Sequence, residues 1–98
     1  MNMKFLKGCF ELDHDVTNLE EYEAPRKAHL LRICEWADTF DMAVQFGTND
    51  NGDYLCEYCI TGSTVTYCKG LKAELKDLLK KMWKKPTVVF EASGEKLR

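Results

Sequence analysis

Proline and histidine are scarce in this chain of 98 residues, two of each, and no apolar run reaches the length of a membrane span. Pro25 and Pro86 therefore leave most of the chain open to regular structure and mark two places where it is expected to break. With only His14 and His29, no closely spaced histidine pair is available for a zinc finger. A phosphate-binding glycine loop, a serine nucleophile elbow and a zincin motif are also missing. The apolar segment from Phe5 to Phe10 is interrupted by Lys7 and Gly8 and is too short for a signal-peptide core, so the expected compartment is the cytosol.

What is present fits one globular domain. Hydrophobic residues make up 45% and charged residues 31%, enough for a single core without disulfide or metal support. Five cysteines, Cys9, Cys34, Cys56, Cys59 and Cys68, sit inside apolar patterns, and their odd number argues for reduced, packed thiols. Charge is segregated along the chain. Residues 1 to 68 carry five basic and twelve acidic side chains, a charge of −7, whereas residues 69 to 98 carry nine basic and four acidic ones, a charge of +5.

Periodicity places the elements. Lys4 to Leu12 reads as a strand with Leu6, Phe10 and Leu12 on one face and Phe5 and Cys9 on the other. A first helix is expected from Pro25 to Thr39, with Leu30, Ile33, Cys34, Ala37 and Phe40 inward. Asp41 to Gly47 and Tyr54 to Thr61 form a hairpin around Asn51-Gly52, the dipeptide favoured in a type I′ turn. Thr64 to Cys68 is expected as a further short strand, since Val65 and Tyr67 alternate with threonines. Gly70 then marks a change of period. Leu71, Leu75, Leu78 and Met82, broadened by Leu79 and Trp83, define a helix from Leu71 to Lys85 that Pro86 stops. Thr87 to Ala92, with Val88, Val89 and Phe90 in succession, is expected inside the sheet, and 93–98 as a frayed tail.

The result is an α+β domain over 1–98 with a mostly antiparallel sheet, the order β-α-β-β-β-α-β, and both helices on one face. This order resembles the ferredoxin-like split βαβ with one extra strand, and its middle α-β-β-β-α portion resembles the order of a double-stranded RNA-binding domain.

Candidate chemistry is sparse. Cys56 and Cys59 have the spacing of a redox or zinc pair, but residues three apart on a strand face opposite ways, which predicts neither a disulfide nor a metal site. His14 between Asp13 and Asp15 has the residue types of a metal ligand set without the remaining members, so no cofactor or metal is expected. His29, beside the apolar stripe of the first helix, is expected to be half-buried packing. Gly47 to Asp53 fails as a calcium loop because glycine and tyrosine fall at the first and last ligand positions.

Two surfaces remain. The segment from Glu11 to Glu23 concentrates six carboxylates, and Asp13, Asp15, Glu20, Glu21 and Glu23 are the expected contacts for a protein partner with a basic surface. Lys72, Lys76, Lys80 and Lys84 recur every fourth residue and form the alternative, a basic line for an anionic partner such as RNA. The absence of arginine from that helix weighs against bidentate phosphate recognition. The expectation is a small non-enzymatic protein-binding module, an inhibitor or adaptor. Small acidic α+β proteins without catalytic motifs are similar in kind to inhibitors encoded by bacteriophages, such as anti-CRISPR proteins.

Overall fold

A computed structural model describes residues 3–12 and 19–96. The elements are β1 (Met3–Leu12), α1 (Leu19–Asp38), β2 (Met42–Thr48), β3 (Tyr54–Gly62), α2 (Val65–Leu79) and β4 (Thr87–Lys96). The order is thus β-α-β-β-α-β, and the four strands form one antiparallel sheet in the order β2-β3-β1-β4. This is the element order of the split βαβ arrangement without the extra strand expected from sequence.

Alternation builds the core. Leu6, Phe10 and Leu12 of β1, Cys56, Tyr58 and Ile60 of β3 and Met42 of β2 lie on one face of the sheet and are buried. Ile33 and Ala37 of α1 and Cys68, Leu71, Leu75 and Leu79 of α2 join the same cluster, so both helices cover that face. α1 packs toward β2, and α2 lies over β1 and β3. The helices are also tied to each other, because the His29 Nε2–H donates to the Leu78 carbonyl at 2.8 Å.

Several sequence expectations need correction. Thr64 to Cys68 is not a strand but the start of α2. Thr64 caps the helix, its hydroxyl accepting from the Tyr67 N–H at 3.0 Å, and β-branching at Val65 and Thr66 is tolerated in a first turn. Cys68 extends the buried stripe one turn upstream, which outweighs the cost of Gly70 inside the helix. α2 also ends earlier than expected, at Leu79. A tight turn follows, with the Met82 and Trp83 N–H groups donating to the Leu79 carbonyl, and it buries Trp83 beside Tyr54 at 6.0 Å between ring centroids.

α1 starts at Leu19 and runs through Pro25, which lacks the amide hydrogen that would have met the Glu21 carbonyl. A single lost bond in the second turn does not end a helix whose later turns are packed. The β2–β3 connection is not a two-residue type I′ turn. Thr48 pairs with Tyr54, and Gly52 is the one described residue with positive φ, at 83°. The Asn49 side chain accepts from the Asn51 and Asp53 N–H groups at 3.0 Å each, and this local bonding holds the longer loop.

β4 departs furthest from expectation. It lies at the edge of the sheet, and the presumed tail is part of it, since Ser93 to Lys96 pair with Leu6 to Met3. The ladder pairs Cys9 with Phe90 and Phe10 with Val88, so Val89 is the extra residue of a bulge. The run Val88-Val89-Phe90 therefore reflects a bulge and not a strand buried on both faces.

Candidate functional site

The bulge decides which way the side chains of β4 point. Val88 pairs with Phe10 on the helix-covered face, whereas Phe90 pairs with Cys9 on the open face. Phe90 there lines a depression with Lys7, Cys9, Gln45, Glu57 and Cys59. Past the bulge, Glu91 faces the helices opposite Gly8.

Gly8 makes room for a link across three strands. A Cβ at this position would stand 2.5 Å from the Tyr58 hydroxyl and 2.3 Å from the Phe90 carbonyl oxygen. Without one, the Tyr58 ring of β3 crosses β1 and its hydroxyl donates to Glu91 Oε2 at 2.9 Å. Lys72 of α2 pairs with the same carboxylate oxygen. The Lys72 hydrogen bond, helped by the one from Tyr58 and opposed by burial, holds the Glu91 carboxyl below its ordinary range. Burial, reinforced by the bond to Glu91, pushes the Tyr58 hydroxyl well above its own.

The remaining lysines of the predicted stripe divide differently. Lys76, Lys80, Lys84 and Lys85 line one groove together with Pro86, Thr87 and Val88, on the helix-covered side of the first residues of β4. Lys80, Lys84 and Lys85 lie beyond α2, so the turn after Leu79 and not one helical face carries them there. Beside this groove Val88, Val89 and Phe90 are exposed, the last two by 54% each.

The acidic candidates are placed less fully. Asp13, His14 and Asp15 lie outside the described residues, and Glu20, Glu21 and Glu23 fall on the first turns of α1, where only the backbone is described. Cys56 is buried in the core and Cys59 is exposed on the opposite face, as their spacing predicts, and both are free thiols, as are Cys9, Cys34 and Cys68. Burial is the first cause that raises the thiols of Cys9, Cys34, Cys56 and Cys68 above the ordinary value. At neutral pH these four are poor nucleophiles. Among the described residues no group of three or more histidine, cysteine or carboxylate side chains is arranged to hold a metal ion.

Val88, Val89 and Phe90 are the surface residues that sequence reasoning missed, because contiguous apolar residues suggest burial. The usable signal was Pro86 directly before the strand, which suits an edge better than a centre. Compared with models of known protein families and with curated proteins, the chain matches none.

Proposed function

We propose that the protein is a small non-enzymatic protein-binding module, acting as an inhibitor or adaptor. The observation that carries this reading is the β4 edge, where one side of a ten-residue strand has no neighbour among the described residues of the sheet and three successive apolar side chains are exposed. An edge of this kind is a template for another chain unless it is blunted or used. The acidic residues Asp13, Asp15, Glu20, Glu21 and Glu23 serve in the same reading as a second contact that attracts a basic patch of the partner. Such charges act mainly on the rate of encounter and its salt dependence.

RNA binding is the second reading, and the groove of four lysines favours it. Its weakness is the open sheet face, where Glu57 lies beside Lys7 on the central strands. The test is a pull-down from native host lysate at two salt concentrations, with and without nuclease. Recovery of a protein that resists nuclease and declines with salt supports the module; loss of all recovered material on nuclease treatment overturns it in favour of nucleic acid. Changing the five acidic residues to Asn or Gln is expected to weaken recovery several-fold.

A further inference from the structure

We infer that the outer side of β4 accepts an extended segment of the partner as a fifth strand, and that this segment alternates acidic with apolar residues. The inference rests on the protein-binding reading and names the chemistry of its partner.

The pleat supplies the alternation. Successive side chains of a strand added outside β4 would point to opposite faces of the enlarged sheet. On the helix-covered side, those opposite the first residues of β4 would meet the groove of Lys76, Lys80, Lys84 and Lys85, which already holds Val88, while farther along Glu91 and Glu95 are balanced by Lys72 and Lys4. On the open side they would lie beside Phe90. Carboxylates match the first environment and aliphatic side chains the second. Lys72, the remaining member of the stripe, is engaged by Glu91 and belongs to the sheet's internal bonding.

Charge also selects among occupants. In a second copy paired two-fold and antiparallel through β4, the far end of the neighbour's strand would bring Glu95, already engaged by Lys4, toward Lys84 and Lys85. A carboxylate already paired within its own sheet attracts those lysines less than the carboxylates of an incoming acidic segment do. A nucleic acid would satisfy the lysines but has no use for unpaired strand amides or for exposed valines. An acidic, extended polypeptide uses the charge, the apolar side chains and the backbone together.

The experiment titrates the full chain into three fluorescent probes: a peptide of alternating valine and glutamate, one of alternating valine and lysine, and a single-stranded RNA of similar length. The glutamate peptide is expected to bind about tenfold or more tightly than the lysine peptide and to weaken several-fold as salt shortens the screening length. Changing Lys76, Lys80 and Lys85 together to Gln is expected to reduce its affinity about tenfold, roughly 1.4 kcal/mol, with little change in melting temperature. Amide exchange supplies a readout that mere charge attraction would not move: binding should protect amides of β4 and leave those of β2 unchanged. Equal binding of the two peptides, no binding of either, tighter binding of the RNA, or protection at β2 would each overturn the inference. Should the lysate experiment yield a nuclease-resistant protein partner while the peptide experiment fails, the binding module stands and the strand-addition mode falls.

Discussion

The two edges of the sheet, β2 and β4, hold equivalent positions and are finished in opposite ways. β2 is seven residues long, turns Met42, Val44 and Phe46 toward the core under α1, and leaves only Ala43, Gln45 and Gly47 on its open side. β4 is longer, bulged, and exposes Val88, Val89 and Phe90. Helix placement causes the contrast. α1 covers β2 directly, while α2 sits over β1 and β3 and reaches β4 mainly through lysines. Lysines on an edge discourage indiscriminate strand pairing. At β4 the same lysines also favour any acidic strand that arrives, so one device both protects the edge and makes it selective.

The sharpest break of this contrast is Gly8→Ala. The added methyl would meet the Tyr58 ring and the Phe90 backbone, and a backbone oxygen cannot rotate away. A loss of about 3 kcal/mol is expected from urea unfolding, with β4 the first element to lose amide protection. Gly47→Ala on β2 is the matched control. Nothing lies within 4 Å of its would-be Cβ, and the change should stay within about 0.5 kcal/mol.

Met42→Ala tests the covered edge in turn. Met42 is buried at the start of β2, and its truncation is expected to cost about 2 kcal/mol, the low end for methionine because the site borders solvent. If Met42→Ala proves neutral, α1 does not protect β2 as the packing indicates.

A smaller effect separates Lys72 from the lysines of the groove. Tyr58→Phe removes a bond to a carboxylate and is expected to cost about 1–2 kcal/mol, whereas Lys72→Gln breaks a pair whose side chains are 23% and 28% exposed and should cost about 1 kcal/mol. The pH dependence has a definite sign. The Glu91 carboxyl titrates lower in the folded protein than its ordinary value of 4.5, so its stabilisation is complete above that value and is lost as pH falls through the folded pKa. Glu91→Gln should therefore lower the melting temperature at neutral pH and lose most of its effect in acid. A difference that grows in acid would mean that Glu91 is not held as a carboxylate.

Much of this fold was legible in the sequence because its signals were periodic. Leu6, Phe10 and Leu12, the strand face of Cys56, Tyr58 and Ile60, and the stripe Leu71, Leu75 and Leu79 each follow the spacing of their element. The errors came where two physical readings compete over a few residues. Val65 and Thr66 favour a strand by branching, yet the Thr64 cap and the burial of Cys68 settle the segment as helix. The candidate site was less legible. The link from Tyr58 through Glu91 to Lys72 depends on the parity change at Val89, and no local pattern announces a bulge. Likewise, regular spacing identified the lysine line, but only the turn that buries Trp83 sets Lys80, Lys84 and Lys85 around one groove.

The smallest expected effect on stability is that of Val89→Lys, and it sharpens the comparison most. Val89 is the bulge residue, more than half exposed, so little apolar burial is lost on replacement. Stability should change by under about 0.5 kcal/mol, judged by urea unfolding beside the wild type. The new charge would nevertheless stand on the apolar part of the edge, where a valine of an added strand has to pack. Binding of the alternating valine and glutamate peptide should fall despite the opposite charge, because a desolvated ammonium opposite an aliphatic side chain costs more than a screened attraction returns. Stronger binding would show that charge alone holds the peptide and that the apolar edge takes no part. A stability loss above about 2 kcal/mol would place Val89 in the core and make β4 as well covered as β2.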